Sequence, residues 1–512
     1  MKDHQKLSRR GFLRSSIASA GLATLAGGSI GPDVQGAPRS ARRAGLAWKL
    51  DRPKPALPNS YFWTWDHSTN WVLDDPGMQV SGCYNKYFKR PETFVEDYRR
   101  LTDCAAGLGI NGVVVWGFLR DAHGGVEAGK RVAADAASKG VAILPGFGTT
   151  WYGGAYYEGA HRYNLAGFLR QHPDARMLNE KGEPYAFNGD FGACPAHPAY
   201  QAWLRDSMDW MFREFEIGGL NLENGDLLVD YHPLTRAMRK DWPADDPEAF
   251  FFQGLSYRQA MEAVRARLSS KLVACATYTG FNYGKQLEQN VSMGAKPPAM
   301  LKLLPEGGVC QWTLTGMVLK DPLPLTRYLD DGTPAAVFEN PNWPRDLRPP
   351  GARGVGFVHQ GSQWHGDRYQ QVVSTIKEAC LRAYRSGLEG VSIHGEVSFR
   401  HIPNALNYLA FSHFTHWPED TMRGFGRKTL GQVLGSEANG EAYAEILAHW
   451  DAGTLTKQQV KEADPARHGF KPRVAGSACD TVEEFQRYRF WEWLQRMAKG
   501  RHDRNYETPF PI

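Results

Sequence analysis

From residue 60 onward the chain alternates a short β-rich run with a longer stretch of helical periodicity, and it does so eight times. Strands joined through a helix run in the same direction, so this alternation implies βα units on a parallel sheet. The strand candidates are YFWTW (61–65), GVVVWG (112–117), VAILPGFG (141–148), GLNLEN (219–224), KLVACATY (271–278), GVCQWTL (308–314), GVGFVHQ (354–360) and GVSIHGE (390–396). Amphipathic helices lie between most of them. PETFVEDYRRLTDCAAGLG opens on Pro91 and stops at Gly107 or Gly109, and VEAGKRVAADAASKG ends on Gly140. HPAYQAWLRDSMDWMFREFE, PEAFFFQGLSYRQAMEAVRARLSS and YQQVVSTIKEACLRAYRSG repeat the pattern. The sixth unit is the weakest, because 316–353 is Pro-rich and irregular.

Eight such repeats imply an α/β fold of the (β/α)8 TIM-barrel type with long loop insertions. A doubly wound open sheet is the rival, and no GxGxxG loop follows the first strand to support it. The reading assigns 55–425 to the barrel and 426–512 to a helical C-terminal extension packed on it. The long segment between strands three and four, beginning TTWYGG, is expected to form part of the active-site rim.

The first 37 residues read as a twin-arginine export signal. Arg9 and Arg10 precede Phe12 and Leu13, a short Gly/Ala-rich apolar run follows, and a cut near VQGA leaves a chain starting around Ala37. That run is too short to span a bilayer, so the expected location is periplasmic or secreted, with no membrane contact in the mature form. Hydrophobic residues at 42% and charged residues at 22% suffice for a large core and argue against disorder. A net charge of +5 without a basic stripe gives no indication of nucleic acid. Aromatic residues are abundant, with 16 Trp, 21 Tyr and 25 Phe, and many fall near strand ends, where they suit the C–H faces of sugar rings. Cys83, Cys104, Cys194, Cys275, Cys310, Cys380 and Cys479 are scattered without CxxC or zinc spacing. His413 and His416 in SHFTH lack a nearby third ligand, so neither a metal nor another cofactor is called for.

In such a barrel the reactive residues stand at the C-terminal ends of the strands. Strand alternation then sorts the faces. Leu220 and Leu222 share one face and Asn221 and Glu223 the other; Val391 and Ile393 oppose Ser392, His394 and Glu396. With the apolar set toward the helices, Glu223 and Glu396 both come to the mouth, the pairing that glycosidic cleavage uses. Asp226 is the competing partner, three residues beyond Glu223; the structural alternative has Asp226 capping the loop and Asp230 in solvent. Substrate-binding candidates are Trp65 at the end of strand one with Asp66 and His67 just after it, Trp116 at strand two, Trp151 after strand three, and Asn221 and His394 within the barrel. Trp312 near the end of strand six and His359 at the end of strand seven complete that set.

GGLNLENGD, the HPDARMLNEKGEP…CPAHPAY stretch before it, and GLEGVSIHGEVS…NALNYLAFSHFTHWPED together resemble (β/α)8 glycoside hydrolases, notably family 20 hexosaminidase-like and α-glucuronidase-like enzymes. The resemblance covers roughly 60–425 and implies that Glu223 matches a strand-four acid and Glu396 a strand-eight glutamate that binds sugar hydroxyls. It also implies that Arg400 and His401 recognise a uronate carboxylate. Hexosaminidases carry Asp-Glu where this chain has Leu222-Glu223-Asn224, so their substrate-assisted mechanism is not implied. The expected function is an exported, exo-acting glycoside hydrolase with a carbohydrate substrate. A non-catalytic carbohydrate-binding barrel and a polysaccharide lyase or other sugar-modifying enzyme are the alternatives. The sequence leaves the sugar, the stereochemical course and the oligomeric state open.

Overall fold

The computed structural model describes residues 48, 50–72, 89–187, 190–223, 229–240, 248–265, 273–279, 308–316, 323–328, 334–339, 353–359, 369–471 and 479–503. The leader region 1–37 lies outside them. Eight strands, β1 (Asn59–Trp65), β2 (Gly112–Trp116), β3 (Ala142–Gly148), β4 (Gly219–Glu223), β5 (Val273–Thr279), β6 (Val309–Gly316), β7 (Arg353–His359) and β8 (Gly390–His394), fall on the eight expected runs. They form a closed ring in sequence order, β8 returning to β1, and every described pairing in it is parallel. Trp63 lies opposite His394 across the closing seam, and Gly148 opposite Glu223.

Described helices follow six of the eight strands. They are α1 (Pro91–Gly107), α2 (Gly125–Ser138), α3 (Pro198–Glu214), α4 (Glu248–Val264), α5 (Val373–Arg385) and α6 (Ile402–His416). Where 316–353 read as irregular, two strands, Leu323–Tyr328 and Pro334–Glu339, pair antiparallel. The helix stops follow from glycine: Gly109, Gly140 and Gly387, just past α1, α2 and α5, take φ of 67°, 74° and 69°, a region open to glycine at little cost. Two longer helices follow the barrel, α7 (Glu437–Ala452) and α8 (Val482–Asp503).

Two buried clusters separate as alternation requires. Tyr61, Trp63, Trp65, Val114, Trp116, Leu144, Val309, Val355 and Phe357 fill the barrel interior. Phe62, Val113, Val115, Ile143, Phe147, Leu220, Leu222, Val391 and Ile393 belong instead to the large cluster shared with the helices. The interior is crowded by indoles, and glycine makes room for them. A side chain at Gly146 would meet the Trp116 ring at 2.2 Å, and one at Gly112 would meet Tyr61 at 2.3 Å. Below the mouth a polar chain crosses the barrel. Trp116 Nε1 donates to Asn221 Oδ1 (2.9 Å), Asn221 Nδ2 to Gln311 Oε1 (2.9 Å), and Gln311 Nε2 to Ser392 Oγ (2.7 Å). It satisfies buried donors and acceptors that would otherwise be costly to desolvate.

Candidate active site

Glu223 is the last residue of β4, 1% exposed, and its backbone carbonyl accepts from Thr149 N at 2.7 Å, which ties the β4 end to the start of the loop after β3. Glu396 lies two residues past β8 and is equally buried. Gly395 turns the chain there: its N–H donates to Trp63 O (2.9 Å), and a side chain on it would strike Phe62 Cβ at 2.6 Å. Glu396 Oε1 then accepts from Trp65 N at 3.0 Å, which orients the carboxylate against the β1 end. In the ring β4 and β8 stand four places apart, so the two glutamates rise from opposite walls of the mouth. Asp226, and the side chains of Trp312 and His359, lie outside the described residues.

The aromatic floor between these walls is continuous. The Trp65 ring lies 5.3 Å from Trp116, 6.1 Å from Tyr152 and 6.3 Å from Tyr157. His394 sits 5.3 Å from Trp63 and 5.1 Å from Phe357, and His67 5.5 Å from Trp65. Tyr152 closes on both Trp65 and Trp116 with φ of 52°, an uncommon conformation for a residue with a bulky side chain. The opening of the insertion after β3 therefore does reach the barrel mouth.

Several sequence expectations need correction. Trp65 and Trp116 are buried to 2% and 0% and form the core under the mouth rather than open platforms. Trp151 packs with Met177 and Phe252 beneath the insertion. Asn221 is a cross-barrel hydrogen-bonding hub. Arg400 is exposed, and its carbonyl accepts from Arg489 Nη2 (2.8 Å) of α8. Asp230 is buried, not in solvent: it accepts from Leu178 N and His232 N (both 2.9 Å) and from Thr235 Oγ1 (2.7 Å), fastening the insertion to the β4 side.

Asp66 is also committed to the interior. Its Oδ1 accepts from Lys89 Nζ at 2.9 Å, its Oδ2 faces His123 Nδ1 at 3.0 Å, and Lys89 reaches Asp97 at 2.8 Å. Asp97 in turn accepts from the N–H groups of Trp71 and Val72 (2.8 and 2.7 Å). Burial alone would raise the Asp66 carboxyl, but Lys89, His123 and Arg120 together hold it far below the usual carboxylate range. Burial alone would lower the Lys89 ammonium; Asp66 and Asp97 raise it instead. Sequence reasoning named Asp66 as a substrate-binding residue but missed its partners Lys89, His123 and Asp97 and, beside them, Arg120, Tyr157 and Glu158. One signal was present: FLRDAH directly follows the β2 run, where a charged residue is already unusual.

His413 and His416 are structural. Their Nδ1 atoms meet Thr429 Oγ1 at 2.8 Å and Ser412 O at 2.7 Å, and burial lowers His416 to about 4. Among the described residues no cluster of three His, Cys, Asp or Glu is arranged to hold a metal, and no helix is long and apolar enough to cross a membrane.

No protein-family model matches the sequence, and no curated protein does. Solved structures that the chain matches at low similarity include glycoside hydrolases. A noncanonic maltogenic alpha-amylase from Thermotoga neapolitana matches at 11% identity and TM-score 0.39, over 70% of this chain and 76% of the enzyme. A GH138 enzyme targeting pectin rhamnogalacturonan II matches at 11% identity and TM-score 0.42, over 80% of this chain but only 45% of that one. A beta-N-acetylhexosaminidase from Bacteroides fragilis matches at 13% identity and TM-score 0.31, over 51% of this chain and 46% of that one. At these values no residue role and no substrate transfers to this chain.

Proposed function

We propose that this protein is a glycoside hydrolase of (β/α)8 type, exported through the twin-arginine leader and exo-acting on an oligo- or polysaccharide. The observation that carries the reading is the pair Glu223 and Glu396, both buried and rising from opposite strands of the ring over an aromatic floor. Cleavage of a glycosidic bond needs a proton for the leaving oxygen and a second carboxylate on the other side of the anomeric carbon. Glu223 acts as the general acid. Glu396, held in orientation by Trp65 N–H, is the nucleophile or the base that activates water.

Glu223→Gln and Glu396→Gln test the assignment on a panel of aryl glycosides. Each variant is expected to lose about 10²–10⁴-fold in kcat/KM on a poor leaving group. If Glu223 is the acid, its variant recovers much of that loss on a dinitrophenyl leaving group, which needs no proton, whereas the Glu396 variant does not. A wild-type protein that binds glycans and cleaves none would instead support the non-catalytic barrel.

A further inference from the structure

Arg120 is 1% exposed, yet only part of its guanidinium is satisfied. Nη1 pairs with Glu158 Oε2 at 3.1 Å, and the planar group lies over the Tyr157 ring at 4.6 Å. Nε and Nη2 are buried and have no hydrogen-bond partner. Those two nitrogens form the side-on edge of the guanidinium, whose parallel N–H bonds match the two oxygens of one carboxylate. Buried donors are ordinarily partnered, so an open fork is an exception that calls for a ligand. The edge lies against Gly117, where φ is 82° and a side chain would stand 3.0 Å from Nε and 3.2 Å from Nη2. Glycine keeps that space clear.

A second observation comes from the other side of Tyr157. Trp65 packs on this ring at 6.3 Å, and its Nε1 is likewise buried without a hydrogen-bond partner. Among the described residues, three buried donors without a hydrogen-bond partner thus flank one tyrosine at the end of β1 and β2. The neighbouring acid cannot satisfy them, because both oxygens of Asp66 are engaged by Lys89 and His123. Glu158, by contrast, is a replaceable counter-ion: its side chain is 42% exposed and can return to water at little cost.

We propose that Arg120 is a recognition residue for a carboxylate on the sugar, taking it on the Nε–Nη2 edge while Glu158 swings out into solvent. The exchange of one anion for another leaves the local charge unchanged. It makes sugar acids the substrate class; that class rests on the carbohydrate reading above, while the anion subsite itself does not.

The test is isothermal titration of the full-length mature protein with D-glucuronate, D-galacturonate and D-mannuronate beside glucose, galactose, mannose and glucose 6-sulfate. At least one uronate is expected to bind about tenfold or more tighter than its neutral counterpart, with the advantage removed in Arg120→Lys. Glu158→Gln, at an exposed position that should not compromise folding, is expected to tighten uronate binding and leave neutral sugars unchanged. Uronate and neutral sugar binding alike in the wild type, or a Glu158→Gln variant without effect on uronate, would overturn the proposal. Preference for the sulfate ester over every uronate would overturn the carboxylate assignment. The readout is binding, so it is independent of turnover: uronate binding without cleavage sinks the hydrolase reading alone, and cleavage of neutral glycosides without uronate preference sinks this one alone.

Discussion

At the residue scale the mouth of the barrel is governed by a few side chains whose charge or size leaves no latitude. Asp66 keeps its charge in the native state far below the ordinary carboxylate range, whereas the unfolded chain takes up a proton near pH ~3.9. Below that pH the unfolded state binds more protons than the native one, so stability falls as the solution is acidified; above it the contribution is fully present. Urea denaturation at pH 3 and pH 6 should show this loss, and the difference should be smaller in Asp66→Asn, with Glu96, Asp121 and Asp420 contributing the remainder. At pH 7 the same variant is expected to cost on the order of 3 kcal/mol, because Lys89 is left buried with Asp97 as its remaining carboxylate. Gly146 sets the opposite kind of limit. A methyl there collides with Trp116 at 2.2 Å, inside a barrel with no slack. Gly146→Ala should destabilise by about 1–3 kcal/mol by overpacking, read from the denaturation midpoint, and pairing it with Trp116→Phe should recover part of the loss.

At the element scale, the strands were legible because each is apolar toward the helices and carries a second, inward set that alternates with it. GLNLE and GVSIH show this plainly, with Leu220, Leu222, Val391 and Ile393 in the helix-facing cluster. Glycines just past α1, α2 and α5 marked the stops for the same local reason. What could not be read was which strand-end aromatics remain open. Trp65 and Trp116 are inward-facing residues of a closed eight-stranded ring, and such an interior is filled by its own side chains. Nor could the Asp66–Lys89–His123 group be read, since its members meet only when the β1–α1 and β2–α2 connections converge. The contact between α7 and the α5 start belongs to the same class. Asp451 accepts from Ser374 Oγ at 2.6 Å and from Gln371, and burial raises its carboxyl to about 6 despite these two donors. Its folded value lies above its unfolded one, so its contribution favours folding at pH 4 and is lost as the pH rises through about 6. The stability difference between wild type and Asp451→Asn, followed by thermal melts, should therefore shift against the wild type from pH 4 to pH 7.

At the scale of the whole molecule, α6 decides how the C-terminal helices relate to the barrel. All fifteen of its residues, Ile402–His416, are buried. A helix with no exposed face must be covered on every side, not only by the strands it follows. On one side Phe62 of β1 meets Tyr408 and Phe411. On another, Ser412 Oγ donates to Leu108 O at 2.5 Å. The remaining cover comes from beyond residue 425, where His413 meets Thr429. Phe490 of α8 reaches Trp48, which also packs on Phe399 just before α6. Residues 426–512 are thus part of what makes the barrel's last helix stable. A chain ending at residue 425 would strip from α6 the cover that residues 426–512 supply, beginning with Thr429 against His413. Large newly exposed apolar area drives association rather than folding. The truncated chain is expected to be recovered in the insoluble fraction or to melt without cooperativity, and a soluble product with a single sharp transition near the full-length Tm would show that the barrel closes without its extension.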